Sequence, residues 1–70
     1  MTGSVFQLVN AAEGWRLLDN GTPCFWFPER SKTLETACVM ADARFTSRGE
    51  PAYVQIEGND GSMQLVASFN

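Results

Sequence analysis

The spacing of hydrophobic and polar residues divides this chain into three parts. Between Thr33 and Gly49 apolar residues recur at the spacing of a helix, whereas the flanking parts alternate with the period of two that strands require. At about 100° per residue, one side of the helical segment collects a stripe of small and apolar side chains. The stripe consists of Leu34, Ala37, Cys38, Ala41 and Phe45. The small residues in its middle predict a helix that packs closely on a sheet.

The residues at both ends of this segment predict the limits of the helix. Thr33 is the expected N-cap, because its hydroxyl can accept a hydrogen bond from an otherwise unpaired amide of the first turn. Glu35 near the start, and Arg44 and Arg48 near the end, carry the charges that the helix dipole favours. Gly49 is expected to end the helix in the left-handed conformation, with a proline shortly after it.

Three strands are predicted before the helix, and they cover residues 4–10, 15–19 and 22–27. Asn20-Gly21 is the expected two-residue turn between the second and third strands, since both residues tolerate a positive φ. This turn places Leu17 opposite Cys24, and directly opposed residues share one face of a sheet. The face predicted to form the core contains Phe6, Leu8, Trp15, Leu17, Cys24 and Trp26.

Two more strands are predicted after the helix, over residues 52–57 and 62–69. With Asp60-Gly61 as their two-residue turn, Ile56 faces Leu65 and the apolar pairs fall on one side. The expected fold is therefore α+β, with the order β-β-β-α-β-β in a single domain over residues 1–70. One helix packs on one face of a mainly antiparallel sheet of four or five strands.

The second face of this sheet is the candidate functional surface, because one helix can cover only one face. One interpretation is that scattered apolar residues are exposed there, as is normal on a monomer, or that the terminal segments cover them. A second is an apolar patch larger than monomers usually expose, which indicates a homodimer interface or a partner surface. A third is a small-ligand cleft. We favour the second, with an interaction surface that consists of Val5, Val9, Arg16, Leu18, Phe25, Phe27, Tyr53 and Val66.

The composition indicates a small globular protein and narrows the classes of partner. The chain has 70 residues, of which 44% are hydrophobic and 19% charged. So short a chain retains only a few kcal/mol of net stability, and burial of more apolar surface in a dimer would add to it. A net charge of −3 with scattered basic residues disfavours a nucleic-acid-binding surface. Neither a signal peptide nor a membrane-spanning segment is evident, so a cytoplasmic location is expected.

The residue types that usually carry catalysis or bind metal are few in this sequence. The chain has no His, which is the usual general base near neutral pH and a common metal ligand. No phosphate-binding loop is present either. Cys24 and Cys38 are expected to be reduced thiols in or near the core, although a disulfide between them stays open. We therefore predict a protein with no enzymatic activity, cofactor, metal or small-molecule substrate.

Three short motifs stand out along the chain. They are Gly14-Trp15 at the start of a strand, Thr33, Ala37 and Ala41 at intervals of four on the helix, and Asp60-Gly61 between the last two strands. Together they resemble a group of short uncharacterised bacterial and phage proteins that form a domain family of unknown function. Members of that family tend to be basic and to carry His on their strands, and this acidic chain departs from them in both respects. The resemblance implies a fold and no particular activity.

The function predicted from the sequence is a small protein-interaction module that homodimerises through the uncovered sheet face. Its size and acidity also suit a phage or mobile-element regulator that binds a basic surface of a host protein. The alternative is a single-stranded nucleic-acid-binding domain, in which bases stack on aromatic side chains and basic residues hold the phosphates. The stacking residues would be Trp15, Phe25, Phe27 and Tyr53, and the basic residues Arg16, Arg30, Lys32, Arg44 and Arg48.

Overall fold

A computed structural model describes residues 3–70 and confirms the α+β fold predicted from the sequence. Five strands and one helix follow one another in the order β-β-β-α-β-β. They are β1 (Ser4–Ala11), β2 (Gly14–Asp19), β3 (Thr22–Phe27), α1 (Arg30–Arg48), β4 (Ala52–Glu57) and β5 (Met63–Phe69).

All five strands belong to one mixed sheet with the order β3-β2-β1-β4-β5. The neighbouring pairs β1–β2, β2–β3 and β4–β5 are antiparallel, and β1 and β4 are parallel. A parallel pair needs a crossover connection, and α1 provides it by leading from the edge strand β3 back to the far side of β1. The topology therefore makes β1 the central strand, with two strands on each side.

The core lies between α1 and one face of the sheet, which we call the helix face. Ala37 and Ala41, from the middle of the predicted stripe, are fully buried, and their small side chains let the helix backbone approach the strands closely. Across from them lie the fully buried Phe6 and Leu8 of the central strand. The other buried hydrophobic residues of this core are Leu17, Ala52, Val54 and Ile56.

The helix begins one turn earlier than the sequence predicts. Glu29, rather than Thr33, is the N-cap, and Arg30 is the first helical residue. Thr33 is fully buried instead, and its hydroxyl donates a 2.8 Å hydrogen bond to the carbonyl of Glu29. Because Pro28 ends β3 and no helix breaker follows it, the helix can add this turn. Glu35 therefore lies beyond the first turn, which contains no acidic residue.

Left-handed conformations occur at two places where the sequence predicts them, the end of α1 and the turn between β2 and β3. Gly49 ends α1 with φ at 70°, and its amide donates a 2.8 Å hydrogen bond to the carbonyl of Phe45. Asn20 and Gly21 both have positive φ, at 51° and 88°, in the turn between β2 and β3. This is the mirror-image turn whose twist matches that of a hairpin.

The first hairpin keeps the predicted turn but changes register a few residues away from it. Asp19 lies opposite Thr22, as predicted. A β-bulge in β3 then shifts the pairing by one residue, so that Leu17 lies opposite Phe25 instead of Cys24. The bulge follows a proline on an edge strand, where a missing backbone donor and an irregular ladder are tolerated best.

Beyond Cys24, the bulge reverses the face of the sheet on which each side chain of β3 lies. Phe25 and Phe27 lie opposite Leu17 and Trp15 and therefore share the helix face with them. Trp26 lies on the other face and is 45% exposed, so its assignment to the core was wrong. Cys24 is exposed as well, and it does not belong to the core.

The second hairpin has a three-residue loop, whereas the sequence predicted a two-residue turn. The amide of Gly58 donates to the carbonyl of Ser62 at 2.8 Å, which closes the loop around residues 59–61. The amide of Gly61 donates to the carbonyl of Gly58 at 3.1 Å, and Gly61 has φ at 84°. A turn followed by a left-handed glycine is the common form of a three-residue hairpin loop.

The longer loop shifts the pairing near the turn, and a bulge later restores it. Leu65 lies opposite Gln55, not opposite Ile56 as predicted. The bulge at Val66 then returns β5 to the predicted register for the three pairs farthest from the turn. Leu65 consequently lies on the face opposite the helix.

Candidate interaction surface

The face of the sheet opposite the helix, which we call the open face, carries side chains from alternate positions of the strands. Four predicted members of the interaction surface lie there on the three inner strands, namely Val5, Val9, Leu18 and Tyr53. Each of them is half-buried, although α1 packs on the opposite face. Their burial comes from neighbouring side chains in the sheet, so their outward surfaces stay accessible.

The register arranges most of the open face in two rows that cross all five strands, and a third, shorter row contains Val5, Tyr53 and Ser68. The first row contains Trp26, Arg16, Val9, Glu57 and Met63 in the order of the strands. Within it, Glu57 is placed beside Val9 because the last parallel pair of β1 and β4 is Leu8 with Ile56, one residue earlier. The second row contains Pro23, Leu18, Gln7, Gln55 and Leu65.

Two charged residues stand on the strands of the open face, Arg16 on β2 and Glu57 on β4. Within the described part of the chain, neither of them forms an ion pair. Oε1 of Glu57 accepts a 2.8 Å hydrogen bond from the amide of Asn10, which holds this carboxylate at the end of the central strand. Arg16 is exposed and lies on the open face.

The polar centre of the second row is internally paired. Nε2 of Gln7 donates a 3.0 Å hydrogen bond to Oε1 of Gln55 across the parallel pair of strands. One donor and one acceptor of these amides are thereby satisfied within the sheet. This pairing lowers the cost of removing water from the middle of the open face.

Two predicted members of the surface, Phe25 and Phe27, are not on the open face. The bulge at Cys24 turns them to the helix face, so this part of the prediction was wrong. Their rings stack with centroids 6.1 Å apart. Phe27 also lines an open groove with Pro28 and Lys32, where β3 passes into the start of α1.

The same bulge brings to the open face a residue that the sequence had assigned to the core. Trp26 lies against the backbone of Gly14, where an added Cβ would come within 2.6 Å of Cζ2 of the indole. Leu65, which is 58% exposed, joins the face from β5. Pro23, just before the bulge, is the feature of the sequence from which the position of Trp26 on the open face could have been predicted. For Leu65 the corresponding feature is Gly58, which permits a longer loop. Val66, also predicted here, occupies the second bulge and is 43% exposed.

On the helix face, one ion pair joins the helix to the sheet. Arg44 contacts Asp19 through two hydrogen bonds of 2.7 and 2.8 Å, and its guanidinium carbon lies 4.9 Å from the ring centroid of Phe6. These hydrogen bonds lower the pKa of Asp19 below its ordinary value, and the positive charge of Arg44 acts in the same direction. The pair fixes the orientation of α1 on β1 and β2 and leaves both charges neutralised within the protein.

The two cysteines are free and unlike in their surroundings. Cys38 is half-buried against the core, and Cys24 donates a weak 3.4 Å hydrogen bond to the carbonyl of Leu17. Partial burial of the sulfur raises the pKa of both thiols, so each is less ionised than an ordinary cysteine.

Residues 3–70 contain no group of three side chains suited to hold a metal ion. In the same part of the chain, no helix has the length and apolar character needed to cross a membrane.

Comparison with known proteins adds no relative. No family model, curated protein or solved structure matches this chain. The resemblance to the bacterial and phage family of unknown function therefore stays a prediction. Within the described residues the chain is an α+β domain in which a helix covers one face of a five-stranded mixed sheet, and the other face carries apolar side chains from every strand together with a few polar ones.

Proposed function

We propose that this protein is a small non-enzymatic protein-interaction module, and that two copies of it associate through their open faces. The observation that carries the proposal is the pattern of β1. This central strand alternates the fully buried Phe6 and Leu8 with Val5, Gln7 and Val9 on the open face. A sheet with one face in water usually has polar residues at such positions. Valines at two of these three positions, with Gln7 hydrogen-bonded to Gln55 within the sheet, favour a second buried face.

The flanking strands extend this apolar character towards both edges of the sheet. Leu18 and Tyr53 lie beside β1, and Trp26 and Leu65 lie on the outer strands. Trp and Tyr are among the residues most enriched at the centres of protein interfaces, because they bury a large area at a low entropic cost. The open face thus has the composition of an interface core with few charges.

The area of the open face is large enough for a stable contact. Five strands about 4.8 Å apart, with about six residues of 3.3 Å each, cover roughly 500 Å² of projected area. Two copies packed face to face would bury at least about 1,000 Å² in total, since accessible area exceeds projected area. This reaches the lower limit expected for a specific interface. Two sheets packed in this way would form a sandwich with an inner layer about 10 Å thick.

The proposal includes the cytoplasmic location predicted from the sequence. Cys24 and Cys38 are both free thiols, and such residues persist in reducing compartments. The wider hypothesis of a phage or mobile-element regulator rests on the net charge of −3 and the small size of the chain. Its partner would be a basic surface on another protein.

The test is the oligomeric state of the wild-type protein and of two matched variants. Light scattering and sedimentation equilibrium should show a dimer for the wild type. Val9→Lys, on the central strand of the open face, should give a folded monomer because two charges would be buried opposite each other. Val39→Lys is the control, since Val39 lies on the helix and is 64% exposed. It should leave the dimer intact.

Two results would overturn this proposal. A wild-type protein that remains monomeric at high concentration would exclude self-association and favour a different protein as the partner. A dimer that survives Val9→Lys unchanged would place the contact elsewhere. Salt-dependent binding of a labelled single-stranded oligonucleotide would instead support the alternative, with Trp26 and Tyr53 as stacking residues on the face that also carries Arg16.

A further inference from the structure

We infer that the two copies pack with their two-fold axis parallel to β1, so that Arg16 of each copy lies against Glu57 of the other. The inference rests on the proposed function, because it specifies how the two open faces meet. It names the partner as a second copy of this chain and assigns a role to the only two charged residues on the strands of the open face.

The positions of the two charges are symmetric about the central strand. Arg16 lies on β2 directly opposite Val9 of β1, and Glu57 lies on β4 beside the same valine. Since β2 and β4 are both immediate neighbours of β1, each charge is about 4.8 Å from β1, on opposite sides of it. The two charges have opposite signs and share one row.

Two sheets can stack face to face around a two-fold axis in two simple ways. An axis parallel to the strands reverses the strand order, so that β2 of one copy lies over β4 of the other and β1 lies over β1. An axis perpendicular to the strands keeps the order, so that each strand lies over its own copy. With Val9 on the axis, the first arrangement sets Arg16 against Glu57 twice. The second keeps Arg16 over β2 and Glu57 over β4 of the other copy at every position of the axis, so Arg16 never faces Glu57. The two residues then either face like charges, when the axis passes through their row, or face no charge at all. Facing like charges, and buried charges with no opposite charge facing them, both weaken an interface, so the first arrangement is favoured.

The hydrogen bonds of the two side chains are compatible with this contact. Within the described residues Arg16 makes no side-chain hydrogen bond. Glu57 uses Oε1 for the backbone amide and the side-chain amide of Asn10, which leaves Oε2 for a guanidinium. Anchoring by Asn10 also restricts the carboxylate in advance, so less side-chain entropy is lost when the pair forms.

The twist of the sheets does not prevent the pairing. Packed sheets cross at about 30°, and at a distance of one strand from the axis this displaces a residue by only about 2.5 Å. Arg and Glu have long side chains that can absorb such a displacement. Near the axis, Val9 would meet Val9, and Leu18 would meet the internally paired Gln55. At the ends of the first row Trp26 would lie over Met63, a sulfur–aromatic contact that is favourable.

Charge exchange provides the test. Arg16→Glu and Glu57→Arg should each weaken the dimer about 100-fold, because each creates two like-charge contacts of about tenfold each. An equimolar mixture of the two variants should form a heterodimer of nearly wild-type affinity, since all facing charges are then opposite. The double variant Arg16→Glu/Glu57→Arg should dimerise alone. Arg30→Glu, which changes the net charge as Arg16→Glu does but lies at the exposed start of α1, is the control and should change the dissociation constant less than threefold.

The outcomes separate this inference from the proposed function. A monomeric wild type would refute both. A wild-type dimer whose dissociation constant is unchanged by the single charge variants would refute only the inferred axis. A dimer that the single variants weaken, and that neither the mixture nor the double variant restores, would also refute it, because the two charges would then not face each other. Circular dichroism of each variant checks that the monomer is folded.

Discussion

The ion pair between Asp19 and Arg44 should stabilise the fold only while the Asp19 carboxyl is ionised. Both side chains are largely buried, at 23% and 19% exposure, and two hydrogen bonds of 2.7 and 2.8 Å join them in the planar geometry that arginine and carboxylate prefer. The perturbation is a double-mutant cycle with Asp19→Asn and Arg44→Met. Asparagine keeps the shape of the carboxylate, and methionine keeps an apolar stem over Phe6.

The expected coupling energy follows from the burial and geometry of the pair. At about 4 Å and an effective dielectric constant of about 20, two unit charges attract by about 4 kcal/mol. Partial removal of both groups from water and residual screening by solvent offset much of this attraction. Because the contact is bidentate and better buried than a surface pair, we expect a coupling energy of about 1–2 kcal/mol at neutral pH.

Urea unfolding at one fixed protein concentration measures this coupling, and its pH dependence tests the reasoning. The pKa of Asp19 is lowered in the folded state, so the stabilisation is complete above the unfolded pKa of about 4 and is lost as the pH falls through the lower, folded value. Asp60 also has a lowered pKa, because Ser62 donates hydrogen bonds to it, and it contributes to the acid sensitivity of the wild type. The difference in the free energy of unfolding between wild type and Asp19→Asn removes the contribution of Asp60, because both proteins share it.

Either of two results would contradict a stabilising ion pair between Asp19 and Arg44. One is a coupling energy below about 0.3 kcal/mol, the value expected of an exposed pair. The other is a difference in the free energy of unfolding between wild type and Asp19→Asn that stays constant from pH 7 to pH 2. Fixed protein concentration is essential, because dimerisation would add a concentration-dependent term to the apparent stability.

Two glycine substitutions should destabilise the protein for different reasons, and both can be followed by thermal or urea unfolding. Gly14→Ala should cost about 1–3 kcal/mol, since the new Cβ would lie 2.5 Å from the carbonyl oxygen of Phe27 and 2.6 Å from the indole of Trp26. Gly61→Ala meets no atom within 4 Å but has φ at 84°, so we expect a cost of about 1–2 kcal/mol, most of which Gly61→Asn should recover. Gly58→Ala, whose nearest contact is 3.4 Å, is the control for both. A Gly14→Ala protein as stable as the control would contradict the close packing of β2 on β3.

Element order, strand limits and the helix face could be predicted from local patterns because each depends on short-range chemistry. The helix stripe around Ala37 and Ala41 and the alternation of β1 lead directly to the observed core. The exception is the start of α1, where Thr33 has the chemistry of a cap and yet is buried inside the helix. An N-cap preference of about 1 kcal/mol is outweighed when an extra turn of helix can bury a residue against the sheet.

The strand register could not be predicted in full, because a one-residue irregularity exchanges the faces of everything beyond it. Counting residues from Asn20-Gly21 assumes an unbroken ladder, and Pro23 is the residue that makes this assumption unsafe. In the second hairpin two errors cancel. The three-residue loop moves the pairing by one residue, and the bulge at Val66 moves it back. The pairs far from the turn therefore agree with the prediction, although Leu65 does not.

The two bulges also bear on which surface can associate. They lie on β3 and β5, the two edges of the sheet, where unpaired backbone groups would otherwise invite another strand. A bulge twists and interrupts such an edge, and β3 carries a proline as well, so extension of the sheet from either side is disfavoured. The bulge in β3 also turns Trp26 towards the open face, and the three-residue loop before β5 places Leu65 there. These irregularities at the edges therefore weaken the competing mode of association and add apolar area to the open face, which is what the proposed face-to-face packing requires.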